Sequence, residues 1–105
     1  MSLLGELALV LDQPAGLVAD GREAFDFDPR HRWSIERLWI YAGNLAEAHC
    51  RAERIEEGAE PWAELISARN VYAHYRPSQI VPDRLWAETV EAIDRLRQAV
   101  GRPEA

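Results

Sequence analysis

The sequence predicts an all-α fold, a compact bundle of four to five helices. Apolar residues recur at three- and four-residue steps in four segments, which is the periodicity of helices with one buried face. No segment alternates apolar and polar residues as a half-buried strand does, and the sequence has no repeat or low-complexity stretch. A chain of 105 residues fits one domain, residues 1–105, around a single modest core.

The first predicted helix covers residues 3–11, where apolar residues form a wide stripe at helical spacing. Pro14 and Gly16 predict an interruption, after which the apolar piece 17–19 can resume the helix. Residues 25–29 are expected to form a loop whose two phenylalanine rings contact the core.

The longest helical pattern covers residues 33–57, and an earlier start near Pro29 is also compatible with the sequence. Gly58 suits its C-cap, because glycine adopts the left-handed conformation in which many helices end. The pattern therefore predicts the longest helix of the chain.

The third and fourth predicted helices each begin at a proline. The third has Pro61 in its first turn and runs to about Tyr75, because Pro77 disfavours the helical conformation of the preceding residue. The fourth opens at Pro82 and ends at Gly101 and the proline that follows. Its predicted buried face contains Leu85, Trp86, Thr89, Val90, Ile93, Leu96 and Val100.

The charge balance restricts the class of partner. The net charge is −6, and the chain contains arginine but no lysine. Proteins that coat nucleic acid neutralise many phosphates, so this balance argues against such a role. Binding of RNA requires positive charge that is local or contributed by a second chain.

The remaining composition favours the cytoplasm. A single cysteine, Cys50, excludes a disulfide within the chain and suits a reducing compartment. No basic residue precedes Arg22, so the start lacks the charge pattern of a secretory signal. No apolar stretch approaches the roughly 20 residues of a membrane span, and we expect no membrane association.

Three side chains able to act on a phosphodiester lie near the predicted end of the third helix: Arg69, Asn70 and His74. A guanidinium binds phosphate oxygens, and an imidazole transfers protons near neutral pH. Asn70 and His74 are four residues apart and share a helix face. Arg69 and His74 are about 140° apart around an ideal helix, so spacing alone does not bring them together.

Two plainer interpretations remain open. Arg69 can make a surface ion pair with Glu64 or Glu88 while His74 caps the helix end. His49, one turn before Glu53 and next to Cys50, forms at most a partial metal site, and a hydrogen-bonded structural histidine is the more common role.

Residues 59–100 resemble the HepT-like branch of the HEPN superfamily. The resemblance is carried by Pro61-Trp62, by Arg69-Asn70 with His74 five residues after the arginine, and by Trp86 to Val90. The segment Ser34 to Gly43 resembles the family's second helix, so nearly the whole chain is covered.

The resemblance implies a HEPN-like, all-helical homodimer. Many relatives are metal-independent endoribonuclease toxins that use no cofactor and are paired with a minimal nucleotidyltransferase antitoxin, which can transfer AMP to a tyrosine. Carried over to this chain, Arg69 and His74 are the catalytic pair, Asn70 is their polar companion, and Arg76 adds positive charge for the RNA substrate.

Two departures from the family pattern matter. The family's tyrosine lies two residues after the histidine, whereas here Arg76 holds that position and Tyr75 becomes the candidate for modification. Many relatives have Gly-Glu-Ala in the second helix, whereas Gly43 is followed here by Asn44, and the next carboxylate is Glu47. A catalytically silent helical module that binds a nucleotidyltransferase therefore stays open as the alternative function.

Overall fold

The computed structural model describes residues 2–76 and 79–101 and confirms the all-α prediction. Within these residues there are five helices and no strand: α1 (Leu3–Ala19), α2 (Arg22–Phe27), α3 (Pro29–Glu53), α4 (Trp62–His74) and α5 (Pro82–Gly101). The predicted helix-ending prolines Pro77 and Pro103 lie outside the described residues. Across the described chain, none of the helices is both long and apolar enough to cross a membrane.

α1 continues through Pro14, so the predicted interruption was wrong. The side chain of Ser2 caps the helix by accepting a hydrogen bond of 3.0 Å from the backbone N–H of Gly5. A proline inside a helix cannot donate to the carbonyl four residues earlier. The ring of Pro14 is fully buried beside Leu11, and this packing compensates for the lost hydrogen bond.

α2 is a short helix where the sequence suggested a loop. The ring of Phe25 is fully buried and packs against Trp86, with 5.1 Å between ring centroids. Phe27 is 91% exposed, so the prediction that both rings contact the core was wrong. Side chains two residues apart on a helix point in directions that differ by about 200°, so only one of these two rings can face inward.

α3 is the central helix and contacts each of the other four. It begins at Pro29, the earlier of the two predicted starts, and Asp28 caps it by accepting a 2.9 Å hydrogen bond from the N–H of Arg30. It ends at Glu53 because Arg54 adopts the left-handed conformation, with φ 56°. Gly58 is therefore not the C-cap.

The core lies where α3 meets α1, α4 and α5. One buried polar link crosses it: the indole Nε1 of Trp39 donates to Thr89 Oγ1 at 3.0 Å, and that hydroxyl donates to the carbonyl of Leu85 at 2.7 Å. The predicted buried face of α5 is correct except at Val90, which is 45% exposed, and at the partly buried Trp86.

α4 carries the residues of the candidate site. Pro61 immediately precedes it, and Tyr75 ends it with an extended backbone. Its apolar side chains Trp62, Leu65 and Tyr72 are buried, while Asn70 and His74 are exposed. α4 therefore keeps one face in the core and presents a polar face to solvent.

Candidate functional site

The site is built at a close approach of α3 and α4, at Gly43. A Cβ atom at this position would overlap the Cβ of Arg69 and would lie 2.7 Å from the carbonyl oxygen of Leu65. Only a residue without a side chain allows this approach. The side chain of Arg69 therefore projects from α4 at the point where the two helices touch, and its guanidinium lies against the next turn of α3.

The guanidinium of Arg69 is held by three side chains. Its Nε donates to Asn70 Oδ1 at 3.1 Å, and its Nη1 donates to Asn44 Oδ1 at 3.2 Å and to Glu47 Oε1 at 3.1 Å. Nη2 donates to the second carboxylate oxygen of Glu47 at 3.4 Å. A guanidinium has five N–H groups, so one N–H on Nη2 is left without an acceptor in the part of the chain that the structure describes.

The pair of Arg69 and Glu47 is partly shielded from solvent, with side chains that are 17% and 23% exposed. The hydrogen bond from Arg69 lowers the pKa of Glu47 below its ordinary range, so this carboxylate is ionised near neutral pH. Glu47 therefore offsets much of the positive charge of Arg69.

Arg69 makes an ion pair, as the plainer interpretation expected, but its partner is Glu47 and not Glu64 or Glu88. Glu64 accepts a hydrogen bond from Arg95 at 2.7 Å, and Glu88 accepts one from Arg84 at 2.8 Å. Arg69 instead crosses to α3 because Gly43 brings its Cα close to that helix.

Asn70 and His74 lie on one exposed face of α4, as their four-residue spacing predicts. Within residues 2–76 and 79–101, the imidazole of His74 makes no side-chain hydrogen bond, so it caps nothing there and is not hydrogen-bonded to Arg69. In the structure, Arg69 is thus hydrogen-bonded directly to Asn70. His74 is linked to this pair through its position on the same exposed face of α4 as Asn70.

Tyr75 and Arg76 follow His74 at the end of the helix. The ring of Tyr75 is 53% exposed and lines a cavity of about 280 Å³ between the C-terminal end of α4 and the start of α5. The backbone N–H of Arg76 donates to the side chain of Gln79 at 2.9 Å, while its guanidinium is exposed. Both side chains are accessible to a binding partner.

Tyr72 lines the same cavity and was not among the predicted site residues. Its hydroxyl donates to Glu88 at 2.8 Å. Burial raises the pKa of Tyr72 and the hydrogen bond to Glu88 raises it further, so the phenol stays protonated. Burial opposes ionisation of Glu88, but hydrogen bonds from Arg84 and Tyr72 outweigh it and lower the pKa of that carboxylate.

The partial metal set on α3 has a structural role instead. The ring of His49 packs against Trp62, with 4.8 Å between centroids, and burial raises the pKa of the Cys50 thiol. Among the residues that the structure describes, no three His, Cys, Asp or Glu side chains lie close enough together to hold a metal ion.

Sequence reasoning missed the roles of Asn44 and Glu47. The sequence held a signal for a polar helix contact. Gly43, Asn44 and Glu47 lie on neighbouring positions of one helix surface, which places a small residue beside two hydrogen-bond acceptors. What the sequence lacked was the partner helix: Glu47 and Arg69 are 22 residues apart, and only the packing of α4 on α3 brings them together.

Replacement of Glu47 tests the ion pair through its pH dependence. Because folding lowers the pKa of Glu47 below its ordinary value of 4.5, its contribution to stability is complete above that pH and is lost as the pH falls through the folded-state value. Glu47→Gln is therefore expected to lower the melting temperature at pH 7, and the deficit should shrink as the pH falls below 4.5. Thermal unfolding followed by circular dichroism across this range measures the difference.

Glu56→Gln is the control, because Glu56 is exposed and makes no ion pair within the described residues. A Glu47→Gln deficit that stays constant with pH would mean that the carboxylate charge does not stabilise the fold.

Comparison with models of protein families, with curated proteins and with solved structures finds no match in any of the three.

Proposed function

We propose that this protein is a metal-independent endoribonuclease toxin of the HepT-like type. Its active site consists of Arg69, Asn70 and His74 from two copies of the chain. The observation that carries the proposal is the exposed face of α4. There an imidazole without a hydrogen bond to any described residue lies one turn beyond an amide that is hydrogen-bonded to a partly buried arginine. That set supplies a proton acceptor and anion-binding donors without a metal.

The proposed reaction is an attack by a ribose 2′-hydroxyl on the adjacent phosphorus. The neutral imidazole of His74 takes the hydroxyl proton, O2′ bonds to phosphorus, and the bond from phosphorus to O5′ breaks. The products are a 2′,3′-cyclic phosphate and a 5′-hydroxyl. His74 of a second copy gives the leaving O5′ its proton, and Arg69 stabilises the charge that gathers on the phosphorane-like transition state.

A second copy also addresses the unfavourable charge of −6. Two chains related by a two-fold axis bring Arg76 from both into one groove, together with the two Arg69 residues whose charge Glu47 partly offsets, which makes the potential there more positive. The homodimer is thus part of the proposal, because one chain offers a single histidine on this face.

A minimal nucleotidyltransferase is the proposed cytoplasmic antitoxin. In this proposal the hydroxyl of Tyr75 accepts AMP from ATP: its oxygen bonds to the α-phosphorus, pyrophosphate leaves, and the phenol proton passes to solvent. The ring of Tyr75 is half exposed and directly follows His74. AMP on Tyr75 places an additional negative phosphate beside the site, where it repels RNA.

The second candidate function is a catalytically silent helical module that binds the nucleotidyltransferase. One observation favours it: four of the five N–H groups of Arg69 are already engaged within the chain. A guanidinium that only joins α3 to α4 has the same contacts.

The test is incubation of the purified protein with RNA in EDTA, followed by analysis of the product ends. Cleavage that leaves 2′,3′-cyclic phosphate and 5′-hydroxyl ends is the expected result. If the protein does not cleave RNA but forms a stable complex with the nucleotidyltransferase in pull-downs, the ribonuclease function is rejected and the silent module is supported. Growth arrest and degraded RNA on expression provide the corresponding test in cells.

A further inference from the structure

The chemistry of the Arg69–Asn70 contact orients the Asn70 amide. A guanidinium only donates hydrogen bonds, so the Asn70 atom that lies 3.1 Å from Arg69 Nε must be the carbonyl oxygen. Oxygen and nitrogen occupy opposite branches of the planar amide group. The Nδ2 amine of Asn70 is therefore directed away from Arg69.

Arg69 itself is restrained from α3. Glu47 accepts from both of its terminal nitrogens, and Asn44 accepts from one of them. The Arg69 side chain is 17% exposed and starts at the close contact with Gly43. Because Arg69 is held in this way, the orientation of the Asn70 amide is imposed by two residues of α3.

The two N–H donors of Asn70 Nδ2 are available for a ligand. Asn70 is exposed, and within the described residues neither donor has an acceptor. His74 is the next residue on that face, with Cβ atoms about 5–6 Å apart at this spacing. An oxygen of a phosphodiester bound to the Asn70 amine therefore brings its ribose within reach of the imidazole.

We infer that the side-chain amine of Asn70 is the donor that contacts the reacting phosphate, and that Glu47 and Arg69 are positioning residues that orient it. This inference rests on the proposed ribonuclease function. It gives Arg69 a mainly indirect part, because contacts among the described residues leave only one of its N–H groups for the substrate.

The expected contribution follows from the charge that develops during the reaction. As O2′ bonds to phosphorus, the non-bridging oxygens become more negative, and a donor already oriented towards them stabilises the transition state more than the ground state. Loss of one such donor typically slows catalysis by about 100–1,000-fold.

The central experiment compares three variants by single-turnover cleavage of RNA in EDTA. Asn70→Asp keeps the oxygen that accepts from Arg69 but removes the amine, and Asn70→Ala removes the amine without adding charge. Asn44→Asp makes the same exchange on the other asparagine that accepts from Arg69. Both Asn70 variants should cleave RNA about 100-fold or more slowly than the wild type. The rate constant of Asn70→Asp should be at least tenfold below that of Asn44→Asp.

Melting temperatures close to that of the wild type are expected for both Asn70 variants, because the side chain is exposed. An Asn70→Ala rate equal to the wild-type rate, or equal losses in Asn70→Asp and Asn44→Asp, overturns the inference. Either result would assign the effect to charge rather than to the amine.

The positioning role is tested with Glu47→Ala and Glu47→Gln. Glu47→Ala should lower kcat more than it raises KM, because it leaves the amine of Asn70 in place but misdirected. Glu47→Gln retains one acceptor for Arg69 and should recover part of kcat. Equal losses of kcat in both variants, at matched melting temperature, contradict positioning by this route.

A titration with uridine 3′-monophosphate, followed by NMR of side-chain amides, separates this inference from the ribonuclease proposal. Binding through Asn70 shifts its Nδ2 resonances and leaves those of Asn44 unchanged. If the wild type does not cleave RNA but Asn70 shifts, the nuclease fails and the anion contact stands. If RNA is cleaved but Asn70 does not shift, the inference fails and the nuclease stands.

Discussion

His74→Ala is expected to lower the rate of RNA cleavage by about 100–10,000-fold while the protein stays folded. A positioned acid or base contributes rate factors of that size. Because His74 is exposed and in the last turn of α4, removal of the imidazole leaves no cavity. The measurements are single-turnover cleavage and thermal unfolding of wild type and variant, purified identically.

His49→Gln is the matched control for a lost imidazole. His49 packs against Trp62 at the opposite end of α4, about 18 Å along the helix from His74. The His49→Gln protein should cleave RNA at close to the wild-type rate even if its melting temperature falls. A His74→Ala protein that cleaves as fast as the wild type removes His74 from the mechanism.

The participation of a second copy is tested by mixing. When wild type is refolded with an excess of His74→Ala chains, mixed dimers have one imidazole where the proposed reaction needs two. Activity per wild-type chain should fall well below that of the unmixed protein. Unchanged activity per wild-type chain would place the complete site in one protomer.

Gly43→Ala is expected to destabilise the fold by about 1–3 kcal/mol, although alanine favours a helix by about 1 kcal/mol relative to glycine. The added Cβ overlaps the Cβ of Arg69 and the carbonyl of Leu65, atoms so close to the backbone that no side-chain rotation relieves the clash. α3 and α4 must separate, which also draws Arg69 away from Glu47. Denaturant unfolding measures the loss.

Gly16→Ala provides the matched control, because Gly16 also lies inside a helix and a Cβ there meets no atom within 4 Å. This variant should gain about 0.5–1 kcal/mol from helix propensity alone. A Gly43→Ala protein that gains as much would mean that α3 and α4 separate without cost, and the restraint on Arg69 would then need another source.

Two errors in the sequence prediction have separate physical causes. Pro14 was expected to break α1, yet its buried ring is accommodated within the helix. Phe27 was expected in the core on the basis of its hydrophobicity, but α2 turns it outward while Phe25 points in. For Pro14 tertiary packing overrides a local preference worth about 3 kcal/mol. For Phe27 the helical geometry of α2 allows only one of the two rings to face inward.

At the candidate site, some features were predictable from the sequence and others depend on tertiary packing. The position of Asn70 one turn before His74 was predictable, because both lie on one continuous helix and 3.6-residue periodicity sets their relation. The partners of Arg69 were not, because they lie on α3 and depend on how closely that helix approaches.

The sequence by itself therefore determined the fold class, most helix boundaries to within a few residues, and the polar face of α4, because each depends on residues close together in the chain. Only the tertiary structure decided that Arg69 is tied to Glu47 and Asn44 and in turn orients Asn70. The reason is that Gly43, which lacks a Cβ, allows two helices to come close enough for a side chain of one to bond to the other.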